Sequence, residues 1–425
     1  MTPATKLIQQ IQNNQIDDIL LDIYVDETLI SYQKERYIRA IEKYISLYGD
    51  EEVDIYSVPG RSEVCGNHTD HQNGEVLAAA INLDMIAVVG KSNTIHVLSD
   101  DYDINTIDVN DLSKKDNEAG TSEGLIRGVL YQLQELNYHI GGFNALMTSD
   151  VLQGSGLSSS AAFEVMIGTI ISGLYNDMNI DPLLIAQIGQ YSENVYFEKP
   201  CGLMDQCACS IGSLIHIDFK DSSSPMVEKL DVDFPEFKHS LCIVDVHASH
   251  ADLTSDYADI PLEMKQVAQF FNKNVLREVD EENFYQQIPA IRKATNDRAV
   301  LRAMHLFSEN KRVEQAVNAL NNQDFDTFKQ TIKASGESSY KYLQNCFSPH
   351  DAKNQAVSLA IALSENILQD KGVCRVHGGG FAGTIQAFVE DDFVETYKAE
   401  IEKYFVEGSC HVLKVRKYGG KKVTQ

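Results

Sequence analysis

Three glycine-punctuated stretches hold most of the side chains that could do chemistry. Val58–Gly74 reads VPGRSEVCGNHTDHQNG and packs Arg61, Asn67, His68, Asp70, His71 and Asn73 close together. One cation, one carboxylate and several amide and imidazole groups suit a polyhydroxylated ligand, because each hydroxyl needs both a donor and an acceptor. A solvated polar loop has the same composition. Asp150–Glu164 reads DVLQGSGLSSSAAFE. A strand leads into a glycine turn and then a helix with Ser158, Ser159 and Ser160 at its start. Free N–H groups at such a helix end favour phosphate, and serine caps a helix equally well. Neither the P-loop pattern nor the dinucleotide fingerprint is present. Val373–Val389 reads VCRVHGGGFAGTIQAFV, with glycines at 378, 379, 380 and 383. It allows close backbone approach to a ligand, or a tight hairpin.

Two further groups stand apart. Glu193 and Asn194 fall on a helical stretch that precedes CGLMDQCACSIG, in which Asp205 has apolar neighbours. A carboxylate in that setting is a general base, a metal ligand or a helix cap. Spacing argues against other chemistry. His68-Thr-Asp-His71 lacks a third ligand, and Cys207-Ala-Cys209 lacks a second pair. Gly120-Thr-Ser-Glu-Gly124 matches GxSxG but follows a polar stretch rather than a strand.

The elements that must position these groups are mixed. Amphipathic helices are expected over 3–48 and a strand over Glu52–Val58, then a loop from Pro59 to Gly74. Apolar strands follow near Ile81–Val89 and Thr94–Leu98, with a loop over 100–121. Helices are expected at 123–136, 158–175 and 182–197, and strands at Phe143–Thr148, Ser213–Phe219 and Ser240–Val246. The second half gives helices near 261–273, 311–320, 324–334 and 352–369. It closes with strands at 373–376 and 384–389, a helix at 393–405 and a strand at 410–415. No regular βα alternation runs through this order, so the class is α+β. The Ser- and Pro-bearing segment Asp221–Pro235 sets a boundary between residues 1–225 and 226–425.

Composition narrows the function. The 425 residues carry 36 Lys and Arg against 62 Asp and Glu, a formal charge of −26. So acidic a body disfavours nucleic acid and anionic membrane surfaces as partners. No apolar run is long enough to span a bilayer, and the first twenty residues lack the form of a signal peptide. Eight scattered cysteines without a CxxC pair read as reduced thiols of a cytoplasmic protein.

Taken in order, the segments resemble the galactokinase branch of the GHMP small-molecule kinases, over about residues 44–383. PGRSEVCGNHTDHQNGEVL is similar to the signature P-G-R-x-N-L-I-G-E-H-T-D-Y-N-x-G-x-V-L. GSGLSSSAA is similar to the family's phosphate loop, and PCGLMDQ to the segment bearing its active-site Asp. HLFSENKRV (305–313) and HGGGFAG resemble two further family motifs. The resemblance implies an N-terminal domain like ribosomal protein S5 domain 2 and a ferredoxin-like C-terminal domain, with the site between them. It implies Asp205 beside the reacting sugar hydroxyl and Arg61 on the transferring phosphate. Gly154, Ser155, Gly156, Leu157, Ser158, Ser159 and Ser160 would wrap ATP, with Ser160 and Glu193 on Mg²⁺. Asn67, His68, Asp70, Gly202 and Tyr257 would face the sugar. The implied activity is phosphorylation of the anomeric hydroxyl of galactose or a close analogue, by a monomer.

The sequence departs from the family at several places. Asn67 and His71 stand where the signature has Glu and Tyr, which makes a C6-altered or N-acetylated sugar an alternative substrate. Gly120–Val129 lacks the aromatics of W-x-x-Y-x-x-G-V, and Ala382 replaces a glycine. A sugar sensor without catalysis is a further alternative, although such relatives lose residues of the serine loop that are intact here. Neither the second nor the third glycine-rich stretch contains a lysine. Nucleotide charge would therefore be met by backbone N–H groups, Mg²⁺ and Arg61.

Overall fold

A computed structural model describes residues 1–100, 102–151, 156–199, 201–222, 224–247, 253–381 and 383–424. The strands are β1 (Thr2–Pro3), β2 (Glu52–Cys65), β3 (Glu75–Ser92), β4 (Ile95–Ser99), β5 (Tyr102–Ile107), β6 (Gly142–Ser149), β7 (Leu214–Asp218), β8 (Met226–Lys229), β9 (His239–Asp245), β10 (Gly372–Val376), β11 (Thr384–Glu390), β12 (Cys410–Leu413) and β13 (Lys421–Lys422). The helices are α1 (Ala4–Gln12), α2 (Asp17–Tyr24), α3 (Ile30–Tyr48), α4 (Ser122–Glu135), α5 (Ser159–Tyr175), α6 (Pro182–Tyr191), α7 (Met204–Ile211), α8 (Thr254–Phe270), α9 (Glu281–Ala294), α10 (Asp297–Asn321), α11 (Phe325–Ser338), α12 (Ala356–Leu368) and α13 (Val394–Ile401). The class is α+β, as expected.

One sheet runs β1-β2-β3-β6-β4-β5, with β13 paired to β2 and β7 bridging β3 to β8. Among the described residues of this sheet, only the β4–β6 pair is parallel. The second sheet is antiparallel, ordered β10-β11-β9-β12. Strand β3 explains why its sequence is apolar without alternation. Met85, Ala87 and Val89 pack with α4 and α5 on one face, and Ile86 and Val88 with α1 to α3 on the other. Nearer its start, Val76 and Ala78 meet α7, while Leu77, Ala79 and Ile81 meet the second sheet and α10. A strand covered on both faces reads as a continuous hydrophobic run. Helix α5 is apolar nearly all round for the same reason, since it is enclosed between the sheet and α4, α6 and α7.

The structure differs from the sequence expectation at several places. Strand β2 runs on past Val58 to Cys65, so Arg61, Ser62 and Glu63 are strand residues paired with Ala80, Ala79 and Ala78. Register shifts flank this stretch, between Pro59 and Arg61 and between Glu63 and Cys65, and they admit a proline and a glycine into a long strand. Residues 102–107 form β5, which buries only Ile104 and Ile107 and is otherwise too polar to read as a strand. Helix α9 has a strongly charged exposed face and buries only Phe284 and Ile291. Pro261 lies inside α8, which begins earlier than expected. No helix among the described residues is long and apolar enough to cross a membrane, and all eight cysteines are free.

A buried charge cluster joins the chain's ends to the first sheet. Asp84 on β3 is fully buried and receives bonds from Arg36 Nη1 (2.6 Å) and Tyr24 Oη (2.9 Å), with Arg416 Nη1 at 3.3 Å. Arg416 also donates to Ser57 and to the Gly419 carbonyl, which brings the C-terminal segment back against β2. Asp84→Ala takes the carboxylate from the buried Arg416 and leaves Arg36 with Asp150 alone, so it should lower unfolding free energy by about 3–5 kcal/mol in urea titrations. A loss under about 1 kcal/mol would show that the cluster does not hold the termini in place.

Candidate active site

Arg61 is the cation at the centre of the site. Gly60 precedes it because the Leu157 carbonyl would lie 2.8 Å from any Cβ there, and Val151 Cγ1 3.0 Å. That close approach lets Arg61 N–H donate to Leu157 O (3.1 Å), so the end of the serine loop lies across β2. The guanidinium is buried and grips Asp205 with two parallel bonds, Nε to Oδ1 and Nη2 to Oδ2, each 2.8 Å. Its Nη1 donates to the Gly156 carbonyl, and the Ser158 hydroxyl donates to Asp205 Oδ2. Asp205 is the second residue of α7, with 32% of its side chain open to the cavity. Burial pushes its carboxyl up, but the Arg61 charge and the bonds from Arg61 and Ser158 outweigh this and hold it below the usual carboxylate range.

A second carboxylate group lies beside it. Helix α6 continues into a wider turn, Ser192–Tyr196, that carries Glu193. Glu193 Oε1 lies 3.1 Å from Lys199 Nζ, and its Oε2 accepts from Gln206 Nε2 (3.1 Å). The same Gln206 nitrogen donates to Glu164 Oε2 (3.1 Å) on α5. Glu164 Oε1 and Gln206 Oε1 are buried with no hydrogen-bond partner among the described residues. Burial and the neighbouring Glu193 charge push Glu164 up to about 9. Ser160, in the first turn of α5, is exposed and lines the same cavity.

The remaining wall comes from the loop after β2 and from the turn between β10 and β11. His68 Nε2 donates to the Gly379 carbonyl (2.9 Å). Burial pushes this imidazole down to about 4, so it is neutral, with its Nδ1 lone pair free of the proton. Asp70 lies against Gly202. The turn presents carbonyls in a row: Gly378 accepts from Asn67 Nδ2 (2.6 Å), Gly379 also from Asn345 Nδ2 (3.1 Å), and Gly380 from Tyr257 Oη (2.8 Å). Gly380 has φ +79° and sits on the Asn345 carbonyl, where a side chain has no room. The third glycine-rich stretch is thus a hairpin that also holds the loop after β2. Helix α10 braces this loop from below. His305 Nε2 donates to the Asn67 carbonyl (2.9 Å), and Glu309 Oε1 accepts from Gly66 N–H (3.1 Å).

These walls enclose about 230 Å³, reached by Arg61, His68, Asp70, Ser160, Glu193, Gly202 and Asp205. Residues 42–91 match the galactokinase galactose-binding signature, and residues 124–213 match the GHMP kinase N-terminal domain. A galactokinase of Actinobacillus pleuropneumoniae serotype 5b is 31% identical over 358 residues, covering 84% of this chain and 90% of that one. The chain belongs to the galactokinase family of GHMP kinases. A Limosilactobacillus reuteri galactokinase is 27% identical over 86% of this chain and 93% of its own. Lactococcus lactis galactokinase, solved in complex with galactose, superposes with a TM-score of 0.75 at 22% identity, covering 90% of this chain and 98% of that one. Methanococcus jannaschii mevalonate kinase superposes at 0.61 with 16% identity, covering 86% and 98%. The fold is therefore the two-domain GHMP kinase fold, and the chain is a sugar kinase of the galactokinase type.

Not every expected site residue of this kinase reaches the cavity. Leu157 is buried beneath the serine loop, and Ser159 opens α5. Gly154 and Ser155 lie outside the described residues. Asn67 is fully buried, and its carbonyl oxygen accepts from Asn345 (2.8 Å) and Ser339 (3.2 Å) while its NH₂ is also engaged. The Tyr257 hydroxyl is committed to Gly380, and its ring packs on Phe381. Both stand behind the wall and shape it. Glu63, Glu164, Lys199, Cys201 and Gln206 line or support the cavity and escaped the sequence reading. Glu63 was visible as a departure from the signature, whose Asn falls at that position.

The Glu164 carboxyl makes a test of this geometry. An unfolded glutamate titrates near pH 4.3, and the folded one near 9. The folded state holds the extra proton between these values, so this contribution is complete below about pH 4 and is lost as pH rises through 9. Glu164→Gln should therefore be more stable than the parent at pH 8, and the gap should widen from pH 5 upward by at most about 1.4 kcal/mol per unit. Parallel pH profiles of the urea midpoints would contradict a protonated Glu164.

Proposed function

We propose that this kinase transfers the γ-phosphoryl group of ATP to the anomeric hydroxyl of galactose or a close galactose-type sugar. The observation that carries this reading is Asp205, ionised by Arg61 and about a third open to a cavity that has the serine loop on one side and the loop after β2 on the other. A bond forms between the sugar oxygen and Pγ, the bond from Pγ to the β–γ bridging oxygen breaks, and ADP leaves. The hydroxyl proton goes to Asp205 or past it to solvent. A carboxylate held this acidic is a weak base, so its main work is to orient the hydroxyl for in-line attack. His68 and Asp70 would hold the sugar, and the first N–H groups of α5 with Ser158 and Ser159 would hold phosphate. Arg61 offsets the charge that develops on the transferring group.

The residues present suit Mg²⁺. Ser160 and Glu193 would be its protein ligands, and Gln206 Oε1, without a hydrogen-bond partner among the described residues, leaves an acceptor on that side of the cavity. Bound there, Mg²⁺ supplies neutralisation of nucleotide charge that the two lysine-free loops lack. The residues that bind and react lie mostly before the division near residue 225, and those after it brace them. Free cysteines fit a reducing cytoplasm. The cavity is complete within one chain, in keeping with a monomer.

Asn67 offers no group to the cavity, so galactose is the first reading. A C6-altered or N-acetylated sugar is the second. Coupled ADP release over galactose, fucose, galacturonate and N-acetylgalactosamine ranks them by kcat/KM. Asp205→Asn should cost about 10²–10⁴ in kcat while sugar still binds by calorimetry. Chelation of divalent metal should weaken ATP binding, and Glu193→Gln should raise the Mg²⁺ needed for half-maximal rate. Undiminished turnover by Asp205→Asn contradicts the assignment, and no turnover with any sugar returns the chain to a sugar-binding role.

A further inference from the structure

One carboxyl group in the cavity has no part in the chemistry just described. Glu63 lies on β2 two residues beyond Arg61, with no register shift between them. Alternate residues of a strand share a face, so the two side chains lie together, about 6–7 Å apart along the chain. Glu63 is 6% exposed and reaches the cavity with His68 and Asp70. Its Oε1 accepts from Asn67 Nδ2 (2.8 Å) and lies 3.6 Å from Arg375 Nη2. Among the described residues no hydrogen bond to Oε2 is found. Asn67, four residues on, has both its amide groups bonded to protein. The carboxyl therefore meets the ligand space and the amide meets the protein. In the signature the same two residue types stand in exchanged order.

We propose that Glu63 is a sugar-specificity residue, whose free carboxyl oxygen bonds a hydroxyl remote from the reacting one on a neutral sugar. This rests on the sugar-kinase reading. The surrounding charge favours the same class of ligand. Asp70 and Asp205 are near, Arg61 is committed to Asp205, and Lys199 to Glu193. A sugar carboxylate at this corner would meet like charge, and Arg61, Lys199 and the buried Arg375 each already face a carboxylate. Burial pushes Glu63 up to about 7 against the pull of Arg375 and Arg61, so the group offers an acceptor when ionised and adds a donor when protonated.

The test is calorimetric sugar binding and ADP release on the full chain, with Glu63→Gln compared against the parent over galactose, fucose, glucose and galacturonate. Glutamine keeps an acceptor for Asn67 Nδ2 but withdraws the charge facing Arg375, so the melting temperature should fall while the fold holds. The preferred neutral sugar should lose about 10- to 100-fold in Kd and KM, more than kcat falls, and galacturonate should bind better than to the parent. Should Glu63→Gln fail to fold, Glu63→Asp, which withdraws the charge by one methylene, should show a smaller loss in the same direction. Parent-like affinities and sugar ranking in the folded variant overturn the proposal while leaving the kinase reading intact. Sugar binding by the parent without ADP release defeats the kinase reading, and Glu63 is then judged by binding alone. A parent that binds no neutral sugar overturns both.

Discussion

The rest of the site depends on one ion pair, Arg61 with Asp205. A guanidinium buried this deeply is tolerable only with its partner in bidentate register. Meeting that condition fixes three segments at once. Strand β2 must carry Arg61 inward beyond the point where its apolar run ends. Helix α7 must start at Met204, so that Asp205 lies in its first turn. The serine loop must close down far enough for the Gly156 carbonyl and the Ser158 hydroxyl to reach the pair. Ser158 adopts a left-handed conformation to do so (φ 60°). Such strain persists where surrounding bonds over-determine it, which is common at functional sites.

The turn between β10 and β11 of the second sheet meets the loop after β2 beside this pair. Strand β3 lends residues to four separate cores, so the helical layers and the second sheet share one rigid member. The loop after β2 is then held by elements distant in sequence, by α10 below and by the carbonyls of the β10–β11 turn above. This explains why the HLFSENKRV stretch resembles a family motif although none of it lines the cavity. His305 and Glu309 act on the backbone of Gly66 and Asn67, and the ligand meets only the result. Catalysis by positioning needs that kind of support, because a displacement of about 1 Å costs orders of magnitude in rate.

How much was legible in the sequence follows from the same physics. Residue type and order pointed to Asp205, Arg61, His68, Asp70, Glu193 and Ser160, and all six reach one cavity. What could not be read was which way a side chain turns. Asn67 and Glu63 are both polar and four residues apart, and only Gly378, Asn345 and Ser339, distant in sequence, decide that Asn67 faces inward. Tyr257 is drawn away by Gly380 in the same manner. The extent of β2 was hidden because its second half is polar, buried and punctuated by Pro59 and Gly60, which reads as a loop by any local rule. Strand β5 and helix α9 were hidden because each buries only two apolar residues.

The net charge of −26 takes on a different meaning at this scale. Spread over the surface it only sets which polyanions are repelled. Inside the cavity, Glu63, Asp70, Glu193 and Asp205 face two cations, and both cations are already committed to carboxylates. A neutral polyol enters such a cavity without adding charge, because its hydroxyls donate to the carboxylates. A nucleotide triphosphate does not, and for it the described residues offer the backbone dipole of α5, the serine hydroxyls at its start and Arg61's residual field. Within the proposed reaction the two substrates therefore place opposite demands on one small volume. The geometry meets them by segregation, with the hydroxyl acceptors gathered along β2 and its following loop, and the oxygen ligands suited to a cation gathered on α5 and after α6.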